Sequence, residues 1–295
     1  MWGIDLGGTK IEGIILEPGG QIIERQRIAT EREHGYEHIV RRIGLLVRQM
    51  KDATGRTPER IGIGTPGTID PPTGLLKNSN TNVMNGRPLA KDLELELGLP
   101  VTLANDANCF AVAEALLGAV PEKVPDARVV FGVILGTGTG GGIVIDGKIL
   151  PGAQGIGGEW GHMYLDHSGG HCYCGRVGCA ETILSGPAIE RYYAARSGTY
   201  RTVRQIVPLY REGKDPHARA AIDRWLHFFA KGIATIINIL DPDAIVMGGG
   251  LSQIEELYTI GIPMVEKHLF NPRMDTRFLR PKLGDSAGVF GAALL

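Results

Sequence analysis

A strand, a glycine turn and a second strand occur twice in the chain: at Gly3-Ile4-Asp5-Leu6-Gly7-Gly8-Thr9-Lys10 and at Val133-Ile134-Leu135-Gly136-Thr137-Gly138-Thr139-Gly140. Apolar β-branched runs on either side of such a turn read as a hairpin. The echo predicts two related halves, with chance likeness between glycine-rich turns as the alternative. The opening continues as an antiparallel meander with strands over 2–6, 10–16 and 21–28. From Tyr36 to Ala53 the apolar residues Ile39, Ile43, Leu46, Val47 and Met50 recur at helical spacing, and Gly55 stops the pattern. Further short apolar runs at 60–64, 101–104, 128–135 and 243–247 each end in a Gly or Asn/Asp turn. They alternate with helical patterns at 107–118, 216–240 and 252–269. Alternation of this kind predicts an α/β fold. The Pro- and charge-bearing stretch 119–127 is the expected domain boundary.

Composition removes several function classes. The chain has 295 residues, 43% of them hydrophobic, which is enough for a real core. Lys+Arg 31 against Asp+Glu 32 gives a net charge of -1, so no bulk positive field gathers nucleic acid or anionic membrane. No apolar run approaches the ~20 residues of a membrane span, and Asp5 follows Met1 too closely for a secretory leader. The expectation is a soluble cytoplasmic protein without nucleic-acid or membrane partners. Gly is 43 of 295 residues, about twice ordinary usage, and it clusters at turns where backbone can approach a ligand.

Two stretches match G-x-G-x-x-G, at 62–67 and 136–141, but neither opens the helix that a dinucleotide fingerprint needs. Asp70 with Pro71 and Pro72 follows the first, and a β-branched run ending in Asp146-Gly147 follows the second. No Walker lysine motif is present. Turns at 7–10 and 136–140 instead suit backbone nests for phosphate: Gly7, Gly8, Thr9 and Lys10 from one side, Gly136, Thr137 and Gly138 from the other. Asp5 lies just before the first turn and reads either as a turn cap or as a carboxylate facing hydrated Mg²⁺. Gly248, Gly249 and Gly250, between a strand and a helical segment, leave room for a flat base.

Cys172, Cys174 and Cys179 form C-x-C-x₄-C, whereas Cys109 stands alone in an apolar stretch. Three thiolates on a short loop point to closed zinc coordination. The fourth ligand comes from His162, His167 or His171; His162 is the choice, because adjacency to Cys172 makes His171 awkward. Glu159 and Glu181 flank this loop and could accept hydrogen bonds from sugar hydroxyls. Asp106, after Asn105 at a strand end, reads either as a helix N-cap or as a base for phosphoryl transfer.

Seven motifs in one order carry a resemblance: DLGGTK at 5–10, GxGTPG at 62–67, NDAN at 105–108, GTGTGGG at 136–142, GEWGH at 158–162, CYCGRVGCAE at 172–181 and DPDAIVMGGGLS at 241–252. Across essentially its full length the chain resembles bacterial sugar kinases of the ROK family (repressor, open reading frame, kinase). The resemblance implies an actin-like ATPase (ribonuclease H-like) fold, with two α/β domains closing over ATP and sugar at an interdomain cleft. Residues 1–118, joined by a returning C-terminal helix at about 283–295, would form one domain and 119–282 the other. Carried over residue by residue, Asp106 is the implied catalytic base, and Gly67, Asn105, Glu159, His162 and Glu181 join it in the sugar-contacting set. His162 would ligate structural Zn²⁺ through one ring nitrogen and meet a sugar hydroxyl through the other. ATP and Mg²⁺ are the implied cofactors, and a homodimer is a family expectation.

The Asn-rich segment at 77–89 is similar to the fructokinase/mannokinase-like branch. It predicts phosphorylation of the primary hydroxyl of fructose, mannose or glucose. An N-acetylhexosamine kinase with a roomier pocket is the alternative, and a non-catalytic sugar sensor is a third reading. A family repressor would need a DNA-binding domain before the first strand, and DLGGTK begins too early for one.

Overall fold

The computed structural model describes residues 1–295, which divide into two compact units. The first comprises Met1–Lys123, Gly142–Gly157 and Lys282–Leu295, and the second Val124–Gly141 and Gly158–Pro281.

The sheet of the first unit contains β1 (Trp2–Leu6), β2 (Lys10–Leu16), β3 (Ile22–Ala29), β4 (Ile61–Thr65) and β7 (Val101–Asn105) in the order β3-β2-β1-β4-β7. The meander β1–β3 is antiparallel, while β4 and β7 join in parallel. A small ribbon of β5 (Thr68–Ile69) and β6 (Leu76–Lys77) follows β4. Alternation along a strand gives the main sheet two unlike faces. Ile4, Leu6, Ile61 and Ile63 join one buried cluster with Ile39, Ile43 and Leu46 of α1 (Tyr36–Thr54) and Leu89 and Leu93 of α2 (Leu89–Leu97).

The other face carries Gly3 and Asp5 on β1 and Gly62 and Gly64 on β4. The C-terminal helix α10 (Ala287–Ala293) packs here against β1, β4 and α3 (Asp106–Leu116). A Cβ at Gly62 would overlap the Ala292 carbonyl, and one at Gly291 the Cys109 carbonyl. Only glycine permits backbone contact this close. Every residue of α3 from Ala107 to Glu114 is buried, as expected of a helix sandwiched between other elements rather than lying on a surface.

The second sheet repeats the plan of the first. Its strands are β8 (Val129–Leu135), β9 (Thr139–Ile145), β10 (Lys148–Ile149), β11 (Ala244–Gly248) and β12 (Arg277–Leu279), in the order β10-β9-β8-β11-β12. Again a meander precedes two parallel additions, β11 beside β8 and β12 beside β11. Two sheets with one connectivity give the sequence echo its structural meaning. In the second unit α8 (Pro216–Leu240) is the longest helix, capped by the Asp215 carboxylate, which accepts from the N–H groups of His217 (2.8 Å) and Ala218 (3.0 Å). Trp225 in its middle donates to the Leu184 carbonyl at 3.1 Å.

The helical pattern at 252–269 is an uninterrupted helical run over 255–268 whose hydrogen bonding changes along it, with a π turn at Leu257–Gly261, the short α9 (Ile262–Val265) and a closing 3₁₀ turn, preceded by a separate 3₁₀ turn Gly250–Gln253. Pro263, in the first turn of α9, has no N–H to continue the preceding ladder. At 119–127 a short helix α4 (Ala119–Lys123) stands where a linker was expected, and the chain changes unit after Lys123. No helix is long and apolar enough to cross a membrane.

One carboxylate ties the start of α4 to the C-terminal segment of the first unit. Glu114, fully buried, accepts from the backbone N–H of Ala119 (2.9 Å), Lys282 (3.0 Å) and Leu283 (2.8 Å). Glu114→Ala would strand one buried and two part-buried donors, and the expected loss is ~2–4 kcal/mol, read as a lowered thermal midpoint. An unchanged midpoint would show that these bonds contribute nothing net.

Candidate active site

The sites expected from sequence fall into two groups, one in each unit. In the first unit β1 ends at Leu6 and the turn is closed by the Gly7 N–H donating to the Lys10 carbonyl at 2.9 Å. Thr30 fastens it, its hydroxyl donating to the Gly7 carbonyl at 2.7 Å and its N–H to the Thr9 carbonyl at 3.0 Å. Gly7 has thereby spent its N–H, which leaves those of Gly8 and Thr9 as the candidates for an anion, beside the exposed side chain of Lys10.

Asp5 lies on the glycine face of the sheet, where a Cβ at Gly288 of α10 would come within 3.4 Å of its carboxyl carbon and one at Gly64 within 3.5 Å of its Oδ1. Burial, then the charges of Asp106 and Glu12, push its pKa up to about 7, with Lys10 pulling the other way. Glu12 is its cross-strand partner and has the opposite fate. Burial opposes its ionisation, but hydrogen bonds from Arg27 (Nε to Oε2 2.9 Å) and Arg25 hold it below the usual carboxylate range. Glu12 is a compensated buried charge and Asp5 is not.

Asp106 begins α3, but the cap itself is Asn105. The Asn105 Oδ1 accepts from the Ala107 N–H at 2.9 Å while its Nδ2 donates to the Gly67 carbonyl at 3.2 Å. Asp106 shares the Ala107 N–H at 2.8 Å. Asp106 is exposed at the start of the helix, but desolvation of its carboxyl by the surrounding protein raises its proton affinity against the lowering effect of that bond. Gly67, at φ 88°, is needed because a Cβ there would meet the Ser79 backbone N–H at 2.8 Å. Gly67, Asn105 and the loop after β6 therefore meet around Asp106. Burial and the charges of Asp5 and Asp106 push the Cys109 thiol well up, so this cysteine is neutral packing. The carboxylates of Asp5 and Asp106 are hard oxygen donors with charge left to neutralise, the donor chemistry that Mg²⁺ accepts.

In the second unit the β8–β9 hairpin is closed by the Gly136 N–H donating to the Gly138 carbonyl at 2.9 Å. Thr137 and Gly138 keep their N–H groups as candidates for phosphate. Gly249, at φ 80°, packs on the Leu135 backbone, and a Cβ at Gly136 would be 3.9 Å from the Gly250 nitrogen. The hairpin and the turn Gly248–Gly250 are thus neighbours at the ends of parallel strands. Glu181 links the hairpin to the cysteine loop: its Oε2 accepts from the Thr139 N–H at 2.9 Å, and a Cβ at Gly138 would come within 2.7 Å of it. Trp160 donates to the Gly140 carbonyl at 2.7 Å, anchoring the segment that carries Glu159 and His162.

His162 Nδ1 and the sulfurs of Cys172, Cys174 and Cys179 all lie within 4.8 Å of one another. Cys172 Sγ is 3.6 Å from His162 Nδ1, and Cys174 Sγ is 3.6 Å from Cys179 Sγ. Tetrahedral zinc, with Zn–S about 2.3 Å and Zn–N about 2.0 Å, requires donor separations of about 3.5–3.8 Å. The residues fit that ion. His171 instead forms a bridge with Val177, and His167 starts a separate 3₁₀ turn.

Sequence reasoning missed Tyr173. Its hydroxyl lies 2.9 Å from His162 Nε2, the nitrogen expected to meet a sugar. Its position between two clustered cysteines was the available signal. Tyr173 also lines a cavity of about 400 Å³ with Thr137, Glu181, Ser185, His171 and Arg191.

A sequence profile of the ROK family matches residues 1–295. The chain belongs to the ROK family. Its relatives include the N-acetyl-D-glucosamine kinase of Aliivibrio fischeri, 37% identical over 100% of this chain and 98% of that protein. Among solved structures, the ROK hexokinase from Thermus thermophilus has a TM-score of 0.89 at 31% identity, covering 99% of this chain and 96% of that one. A ROK glucokinase from Streptomyces griseus, in complex with glucose and AMPPNP, has a TM-score of 0.76 at 30% identity, with 99% and 97% covered. The fold is the actin-like ATPase fold of ROK sugar kinases.

The state of Asp5 has a stability signature. Its folded pKa of about 7 exceeds the unstructured value of 3.8, so between these pH values the unfolded chain holds fewer protons and stability falls as pH rises. The full cost above pH 7 is roughly 4 kcal/mol. Asp5→Asn is expected to melt higher than the wild type at pH 8, with the gap closing towards pH 4. Equal melting at both pH values would contradict the uncompensated burial of Asp5.

Proposed function

We propose that this ROK-family chain is a kinase that transfers the γ-phosphoryl group of ATP to the primary hydroxyl of N-acetylglucosamine. The broader class, a phosphotransferase with a sugar alcohol as acceptor, follows from family membership and from full-length relatives that are sugar kinases. What carries the acetylated sugar is that the curated relatives matched over the whole chain are N-acetyl-D-glucosamine kinases at 34–37% identity. This favours the acetylated alternative over the plain hexose expected from the Asn-rich segment. The segment itself has a structural use: Asn85 holds the loop through the Ser79 N–H and carbonyl, both at 2.9 Å. Its likeness to the fructokinase branch is accordingly weak guidance to the sugar. A plain hexose stays as the second reading because the T. thermophilus hexokinase has the TM-score of 0.89.

In this reading Asp106 accepts the proton of the attacking hydroxyl as the new O–P bond forms and the bond to ADP breaks. Its raised proton affinity supports that role. Asn105 would orient the sugar while holding Gly67, and Glu159, His162 and Glu181 would meet other hydroxyls. The N–H groups of Gly8, Thr9, Thr137 and Gly138 would receive phosphate oxygens, and the turn Gly248–Gly250 the purine. Mg²⁺ would supply charge neutralisation on the triphosphate, with Asp5 the carboxylate facing it. Zn²⁺ in the Cys₃His cluster would be structural, fixing the segment between Glu159 and Glu181.

The test is a coupled assay of ADP release with Mg-ATP across N-acetylglucosamine, N-acetylmannosamine, glucose, mannose and fructose, alongside Asp106→Asn. Highest kcat/KM on N-acetylglucosamine is expected, with turnover in the variant reduced by ~10²–10⁴ while sugar still binds. Preference for an unacetylated hexose would move the chain to the second reading, and full turnover in the variant would remove Asp106 as the base.

A further inference from the structure

His162 has two ring nitrogens with separate duties. Nδ1 faces the cysteine sulfurs, 3.6 Å from Cys172 Sγ, so Nε2 is the one left for a substrate hydroxyl. That nitrogen is taken by the Tyr173 hydroxyl at 2.9 Å, and the two rings meet edge to face with centroids 5.2 Å apart at 87°. A neutral imidazole whose Nδ1 serves a metal carries its proton on Nε2. Nε2 then donates, and the phenol oxygen accepts. A sugar hydroxyl would make the same bond with the same polarity.

The surroundings of the phenol strengthen the likeness. Tyr173 lines one cavity with Glu181, a carboxylate proposed to accept from sugar hydroxyls. The Tyr173 hydroxyl therefore sits with two groups assigned to the sugar, His162 and Glu181. Its backbone is pinned by clustered cysteines on either side, and the Cys172 N–H donates to the Arg176 carbonyl at 2.8 Å. Its side chain is nevertheless 78% exposed. A side chain anchored at its base and solvated along its length can swing aside with little loss of buried area.

We propose that Tyr173 is an intramolecular stand-in for the substrate: its hydroxyl occupies the sugar-hydroxyl position at His162 Nε2, and the sugar must displace it to bind. This rests on the sugar-kinase reading of the same site. Tyr173 is thus a latch that lowers sugar affinity, in contrast to a side chain that contributes to it. The fraction of molecules with the latch open sets the apparent affinity. Removing the phenol oxygen removes one hydrogen bond of ordinary strength from the closed state, a change of about 2–10-fold in sugar Kd.

The experiment is calorimetric titration of wild type and Tyr173→Phe with N-acetylglucosamine and, separately, with Mg-ATP, after zinc has been measured by elemental analysis. The expected result is about one zinc per chain in both proteins, a roughly 2–10-fold lower sugar Kd in the variant, and an unchanged Mg-ATP Kd. A sugar Kd that rises would make Tyr173 a direct sugar contact. One that stays the same would make the bond to His162 irrelevant to binding. Either result at full zinc content overturns the latch and leaves the kinase reading standing. A wild type that neither binds nor phosphorylates N-acetylglucosamine or any plain hexose overturns both.

Discussion

The contact on which the first unit depends is the close approach of α10 and α3 to the glycine face of β1 and β4. Gly3, Gly62 and Gly291 let backbone meet backbone, where any Cβ would overlap. That seat buries Asp5 between Gly64 and Gly288 and brings α3, with Asp106 at its first turn, over the same face. Had the strands carried β-branched residues on both faces, the sheet would resemble any buried parallel sheet and no carboxylate would be held there. The apolar face against α1 and α2 provides the core. The glycine face holds Asp5 and Asp106, the carboxylates proposed for the chemistry.

On that face two carboxylates, half-buried Asp5 and buried Glu12, are cross-strand neighbours with different fates. Glu12 is compensated by Arg25 and Arg27 and is structural. Asp5 faces the charge of Asp106 with no comparable partner, and its pKa is pushed up to about 7. A site that costs stability when empty is poised to be neutralised by a ligand. Nucleotide-borne Mg²⁺ would supply that neutralisation, so binding and relief of electrostatic strain would be one event. Glu181 plays the coupling part in the second unit. By accepting from Thr139 it ties the glycine hairpin to the end of the cysteine loop.

Much of this was legible in the sequence because it is written in local pattern. The meander follows from Gly7-Gly8 and the Pro18-Gly19-Gly20 turn, α1 from its apolar spacing before Gly55, and the metal-type cluster from C-x-C-x₄-C. What was hidden depends on contacts distant along the chain. Glu114 gave no sign that it would hold the N–H groups of residues 168 and 169 positions away. The 252–269 pattern has helical periodicity and folds as a helical run over 255–268, but the π turn at Leu257–Gly261 just before Pro263 was not legible from spacing. Asn85 reads as part of a family signature, yet its side chain is committed to Ser79. Tyr173 was missed because its flanking cysteines mark a metal-type loop without telling that its hydroxyl reaches His162, eleven residues away.

The central claim is that these two groups of residues transfer phosphorus to a sugar's primary hydroxyl. It is tested most directly by the identity of the product. Uniformly ¹³C-labelled N-acetylglucosamine incubated with Mg-ATP and the protein would be followed by carbon and phosphorus NMR. Phosphorus coupling at C6, appearing in step with ADP, is the predicted result. Coupling at C1, or ATP consumed to inorganic phosphate with the sugar unchanged, would contradict the account.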